Sequence, residues 1–156
     1  MQTSLRSLIL AFSLAAGPAL AADSGPAVPE PKDTTLERAR GAIAQKDWAG
    51  AQTILREAVA REPRNANFHN LYAYSNRKSS NPDMSLVFKH YNEALSIDPK
   101  HRGAHEYIGE AYLMVGNAAK AKEHLAQLDK LCVFSCSEFT DLKNAIASYE
   151  TQKTAK

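Results

Sequence analysis

Two kinds of side chain in this 156-residue chain could do chemistry. Its two cysteines, Cys132 and Cys136, stand in "LDKLCVFSCSEF" with three residues between them. Such a pair can close a structural disulfide, exchange disulfides with other thiols, or supply half of a metal site. There are also five histidines. His101 and His105 are spaced i, i+4 and followed by Glu106, so one helix would turn both rings to the same face, as zinc ligands are placed. The order is not H-E-x-x-H and no third ligand is evident, so no metal is expected there. His69, His90 and His124 lie apart and read as partly exposed helix residues. No phosphate-binding glycine loop and no G-x-S-x-G elbow occurs, and no catalytic residue or cofactor is expected.

What the cysteines do depends on the compartment and on the elements that hold them. The chain opens with "MQTSLR", then the apolar run "SLILAFSLAAG", then "PALA", whose Ala19-Leu20-Ala21 has the small-x-small form of a cleavage site. This predicts a secretory signal over residues 1–21, cut near Ala21. The run is too short to span a bilayer and breaks at Gly17-Pro18, and no other apolar stretch reaches membrane length. No cysteine follows the cleavage region, against a lipoprotein anchor. The expected location is outside the cytoplasm, in the periplasm or secreted, where disulfides persist. Loss of the signal removes only Arg6, taking the formal charge from +2 to +1. With no basic block or aromatic-interleaved basic stripe, nucleic-acid binding is not expected. "ADSGPAVPEPK", with Pro26, Pro29 and Pro31, reads as an extended linker over residues 22–32.

From Asp33 onward apolar residues recur at helical spacing, and breaks come at regular intervals. "KDWAGAQTILREAVAREPRN" aligns with "NPDMSLVFKHYNEALSIDPKH": each is a helix with an alanine, Ala58 or Ala94, five residues before its proline. Pro63 and Pro99 are 36 residues apart and each follows an acidic residue. "HRGAHEYIGEAYLMVGNAAKAKEHLAQLDKL" repeats the two-helix layout with its break at Gly116-Asn117. Small residues at Ala51, Ala58, Ala94, Gly109 and Ala121 allow close helix approach, and Trp48, Tyr91 and Tyr112 fill gaps. A single unit cannot bury its apolar stripe, but three stacked units can.

These residues resemble the tetratricopeptide repeat, a helix–turn–helix of 34 residues. Unit one carries Trp48, Ala51, Leu55, Ala58 and Pro63; unit two Leu71, Tyr91, Ala94 and Pro99; unit three Ile108-Gly109, Tyr112, Gly116 and Ala121. The resemblance implies an all-α solenoid of three units, at 33–65, 66–99 and 100–131. Unit two departs from the pattern at "YSNRKSSNPD", with Ser75 and Lys78 where Gly and Tyr are wanted, so its turn is expected to be longer or irregular. "SEFTDLKNAIASYETQK" brings Phe139, Leu142, Ala145, Ile146 and Tyr149 to one face, an amphipathic helix that would cap the array from within 132–156. Ser135 and Glu138 have capping-box spacing, which places Ser135 at the N-cap; Thr34 and Glu37 have it too, at the start of the first helix. The chain is also similar to small exported proteobacterial repeat proteins.

Repeat arrays of this type act through the face lined by the first helix of each unit. Carried onto this sequence, that face presents Arg40, His69, Tyr72, Asn76, Glu106, Tyr107, Glu110 and Met114. The Lys/Asn clamp that some family members use for C-terminal carboxylates is replaced by Leu36/Arg40, Tyr72/Asn76 and Glu106/Glu110. Two glutamates would repel a carboxylate, so a neutral or basic peptide or helix of a protein partner is expected. The array is expected to be monomeric or paired through its first repeat. A helix–turn–helix corner can bring Cys132 and Cys136 within bonding range, so a structural staple ranks first, a redox pair second and a metal site third. A scaffold for protein partners is the leading function, and thiol–disulfide or metal handling through the two cysteines is the alternative.

Overall fold

The computed structural model describes residues 34–155, and the expected signal segment and Pro-rich linker lie outside them. Among the described residues there are seven helices: α1 (Thr34–Ala44), α2 (Trp48–Arg61), α3 (Ala66–Arg77), α4 (Met84–Ile97), α5 (Arg102–Met114), α6 (Ala118–Leu131) and α7 (Ser137–Thr154). None is long and apolar enough to cross a membrane.

Local chemistry sets the helix ends. Asp47, Asn65, Asp83, His101 and Asn117 cap α2 to α6, each accepting a backbone N–H of the first turn. A short acceptor side chain at the N-cap satisfies amides that have no partner within the helix. The α2 and α4 stops match: Glu62 N–H donates to Ala58 O and Asp98 N–H to Ala94 O, just before Pro63 and Pro99. The α1–α2 and α5–α6 turns are also built alike. Lys46 (φ 59°) and Gly116 (φ 79°) take the left-handed conformation, and the next amides, of Asp47 and Asn117, donate back to Ala42 O and Tyr112 O at 2.9 and 2.8 Å. The α3–α4 turn, residues 78–83, is longer than these.

The helices form three antiparallel pairs, α1–α2, α3–α4 and α5–α6, with α7 packed on both α5 and α6. Three buried clusters follow in sequence. Ala39, Leu55, Ala58 and Phe68 join α1, α2 and α3; Ala73, Val87, Tyr91 and Ile108 join α3, α4 and α5; Ala121, Leu128, Leu142 and Ile146 join α6 to α7. Gly109 lets α7 close in, because a Cβ there would stand 2.6 Å from Leu142 Cδ2.

Histidines tie consecutive units together. His69 Nε2 lies 3.0 Å from Pro63 O, and its Nδ1 lies 2.9 Å from His90 Nδ1. One unit on, His105 Nε2 lies 3.0 Å from Pro99 O and its Nδ1 2.9 Å from His124 Nδ1. A carbonyl only accepts, so His69 and His105 carry their proton on Nε2; their Nδ1 then accepts from the Nδ1–H of His90 and of His124. Each joint spans the end of one unit and both helices of the next. Of the three histidines expected to be partly exposed, His124 is so, whereas His69 and His90 are buried. Burial first, and then the neighbouring ring, holds His90 and His124 down to about 4.

Cys132 and Cys136 form a disulfide across the α6–α7 corner, with Cα atoms 5.8 Å apart. Cys132 is the C-cap of α6 and Cys136 the extended residue before α7. The expected capping box at Ser135 is not formed. The bonded Cys136 takes the N-cap position without a side-chain cap, and Glu138 turns to Arg102 at 3.5 Å. Val133 and Phe134 stand almost fully exposed at the tip of the corner.

Candidate functional site

The first helices of the units share one side of the array. α1 packs on α3 and α3 on α5, whereas α2, α4 and α6 make no lateral contacts with one another. The lateral contacts place α1, α3 and α5 on the inner side, and α7 extends that layer beside α5.

Arg77 organises the middle of this layer. The residue is 6 % exposed, and its guanidinium donates from Nε to the Tyr91 hydroxyl at 3.2 Å and pairs through Nη2 with Glu110. It lies over the rings of Tyr74 and Tyr107, at 5.4 and 5.8 Å from their centroids. The two tyrosines are themselves in contact at 4.6 Å, and Trp48 meets Tyr74 edge-on. A buried guanidinium needs this density of partners, because an unpaired charge removed from water is very costly. The aromatic ladder is therefore held rigidly by one cation.

Beside the ladder a cavity of about 350 Å³ opens between α1, α3, α5 and α7. Arg40 stands at its rim, Asn67, Asn70 and Leu71 come from α3, Gly103, Glu106 and Tyr107 from α5, and Ser137, Glu138 and Asp141 from α7. Glu106 is 8 % exposed. Burial, followed by the charges of Glu110, Asp141 and Glu138, pushes its carboxyl up to about 8. Asn70 is 4 % exposed, and its Oδ1 is buried without a hydrogen-bond partner.

The expected face residues are thus divided. Arg40, Glu106 and Tyr107 line the cavity, Glu110 sits on the adjoining ladder, and Met114 is half exposed at the end of α5. His69, Tyr72 and Asn76 turn elsewhere. His69 is held in the joint, Tyr72 packs edge-on against His90, and Asn76 donates to Tyr72 O at 2.8 Å. Helix α3 presents Asn67, Asn70, Leu71 and Tyr74 instead, each one or two residues earlier than expected. The reason is register. α3 stands 36 residues before α5, as the equivalent rings His69 and His105 show, so Asn70 and Tyr74 correspond to Glu106 and Glu110.

The zinc-like pair is also otherwise engaged. His101 Nδ1 caps α5 by accepting from Ala104 N, and its Nε2 is 3.2 Å from Asn67 Oδ1, while His105 belongs to a joint. No group of three metal-ligating side chains is found among the described residues. At the cavity the polar groups include side-chain amides, carboxyls and the Ser137 hydroxyl, which donates to Glu138 at 3.2 Å.

No family model matches the chain, and no curated protein does. Solved structures do. The type III secretion translocator chaperone SycD of Yersinia enterocolitica superposes with a TM-score of 0.66 at 13% identity, over 77% of this chain and 83% of that one. TTC0263, a thermophilic TPR protein of Thermus thermophilus, gives 0.64 at 17% identity, over 80% and 66%. A chain of the CopN–Scc3 complex gives 0.58 at 19% identity, over 73% and 65%. With the helix pairs and joints above, these likenesses establish the fold: three tetratricopeptide-like helical units closed at one end by a seventh helix.

Proposed function

We propose that this protein is a non-enzymatic scaffold, exported to the periplasm, that binds an extended segment of a partner protein along the layer formed by α1, α3 and α5. The observation that carries the reading is the cavity beside the Tyr74–Tyr107 ladder, where a rigid aromatic surface adjoins recognition groups contributed by four helices. Rigid aromatics next to unsatisfied polar groups suit peptide capture, because little side-chain entropy is lost on binding. Two of the similar structures are named for a translocator chaperone and for a complex, which supports the same reading. The disulfide is read as a staple for α7: it closes a corner and no thioredoxin-like βαβ pattern surrounds it.

A photo-crosslinking amino acid placed at Leu71, on the inner layer, and at Lys89, exposed on α4, tests the binding face in cells. Crosslinks to a protein from position 71 and none from position 89 are expected. Equal labelling from both positions would place binding elsewhere. N-terminal sequencing of the exported protein is expected to begin at Ala22, and an uncut N-terminus would count against export.

A further inference from the structure

We propose that the cavity between α1, α3, α5 and α7 is a receptor for one lysine or arginine side chain of the bound segment, its cationic head seated between Asn70, Glu106 and Asp141. The proposal rests on the reading that this face binds a protein segment, and names the residue that segment must carry.

Asn70 is the first observation. Its Oδ1 is the buried side-chain oxygen left without a partner among the described residues, and its residue lines the cavity wall. An unmade hydrogen bond at a buried acceptor costs free energy that a donor entering the cavity would recover. The entering group must therefore carry N–H or O–H.

Charge is the second, and it selects among donors. Glu106, Glu138 and Asp141 all border the cavity. Neighbouring cations already have partners: Arg102 is 3.5 Å from Glu138, Arg40 is 3.8 Å from Glu37 at the rim, and Arg77 is paired with Glu110. Glu106 and Asp141 have no ion pair among the described residues. An anionic ligand would be repelled by Asp141 and Glu138, and a neutral one would leave Asp141 without an ion pair. An ammonium or guanidinium supplies the donor for Asn70 and the charge that Asp141 lacks, and it favours the ionised form of Glu106.

Space is the third. Gly103 stands at the wall without a side chain, and a Cβ there would lie 3.4 Å from Asn70 Nδ2. Alanine is compatible with the helix at this position, so G103A narrows the cavity without breaking α5. A cavity of about 350 Å³ has room for one long side chain.

Glu106 also gives the site a pH signature. Facing it are Glu110, Tyr107 and the N-cap His101 of its own helix, Arg77 and Tyr74 from α3, Arg40 from α1, and Glu138 and Asp141 from α7. Arriving positive charge favours its ionised form, so binding of a basic segment strengthens as pH rises from 6 to 9.

The test is selection of random dodecapeptides, capped at both ends, on the full-length protein, followed by calorimetry of a selected peptide. A basic residue is expected at one enriched position, with at least tenfold weaker binding when that residue is replaced by glutamine. E106Q and G103A are expected to weaken binding similarly, with thermal melts confirming that both fold, and E106Q is expected to flatten the pH dependence. Peptides selected without a basic position, or affinity unmoved by both variants, would overturn the receptor while leaving the segment-binding reading intact. Free spermidine binding as tightly as the peptide would also overturn it, because the cation would then be read without a chain. No peptide bound at all would overturn the segment-binding reading, and the receptor with it.

Discussion

The Nδ1 atoms of His69 and His90 lie 2.9 Å apart with room for one proton between them. The arrangement recurs at His105 and His124, so acid acts on two joints of the same design. His90 and His124 titrate near 4 when folded, against about 6.5 when unfolded. Between these values the unfolded chain binds more protons, so stability is complete above pH 6.5 and falls as pH drops toward 4. For the well-buried His90 the loss is about 3 kcal/mol, and for the less buried His124 it is smaller. Urea midpoints measured from pH 7 to pH 4 check this, and H90N/H124N is expected to flatten the acid limb even if it lowers stability at pH 7.

Glu106 has the opposite sign. Its carboxyl is raised to about 8 by burial and by Glu110, Asp141 and Glu138. The stability linked to its neutral form is fully present below about pH 4.5 and is lost as pH rises through 8. The joints and Glu106 oppose each other between pH 4.5 and 6.5, and Glu106 alone governs the slope above that. E106Q is expected to gain about 2–4 kcal/mol over the parent at pH 9, and little at pH 4.5, by the same urea titration.

Arg77 is expected to be the most costly polar side chain to remove. R77L leaves Glu110 without its cation and the buried Tyr91 hydroxyl without its donor. A loss of about 3 kcal/mol or more is expected, in the range for breaking one half of a buried ion pair. R77K is expected to recover only part of it, because an ammonium cannot reach Tyr91 and Glu110 in the same planar fork.

G109A probes the seam between α5 and α7. Alanine is the better helix former, but its Cβ would meet Leu142 Cδ2 and Cδ1 at 2.6 and 2.7 Å, and Leu142 is sealed from solvent. A net loss of about 1–2 kcal/mol is expected from overpacking. In the L142A background the same change is expected to cost much less, so a double-mutant cycle reports the contact directly.

The corner disulfide closes a short loop, so C132S/C136S is expected to cost about 2 kcal/mol by loop-closure entropy. Hydrogen exchange locates the effect: amides of α7 are expected to lose protection ahead of those in α3 and α4.

Much of this was legible in the sequence, and the exceptions have physical causes. Apolar periodicity with breaks at Pro63, Pro99 and Gly116 marked the helices, because such breaks act locally. Glu106 and Tyr107 were legible as face residues because unit three keeps the ordinary turn. Tyr72 and Asn76 were misplaced because a 34-residue step was carried into unit two. The 36-residue spacing of Pro63 and Pro99 was already visible and, counted forward, leads to Asn70 and Tyr74. The histidine joints were hidden for another reason: each ring meets a partner 21 or 19 residues away on the facing helix, and neither member is unusual alone. The same holds for Glu106, whose proton depends on carboxylates from α5 and α7 together. Ser135 failed as a cap because the disulfide, not hydroxyl chemistry, sets the backbone at Cys136.

The extra length of unit two lies wholly in residues 78–83, at the end of the α3–α4 pair opposite the Pro63–His69–His90 joint. Ser80 and Asn81 are exposed there. The molecule therefore has a built-in place for cargo: a fluorophore, an affinity tag or a few added residues between those two positions would ride outside the helix pair, leaving the joints and the inner layer as they are.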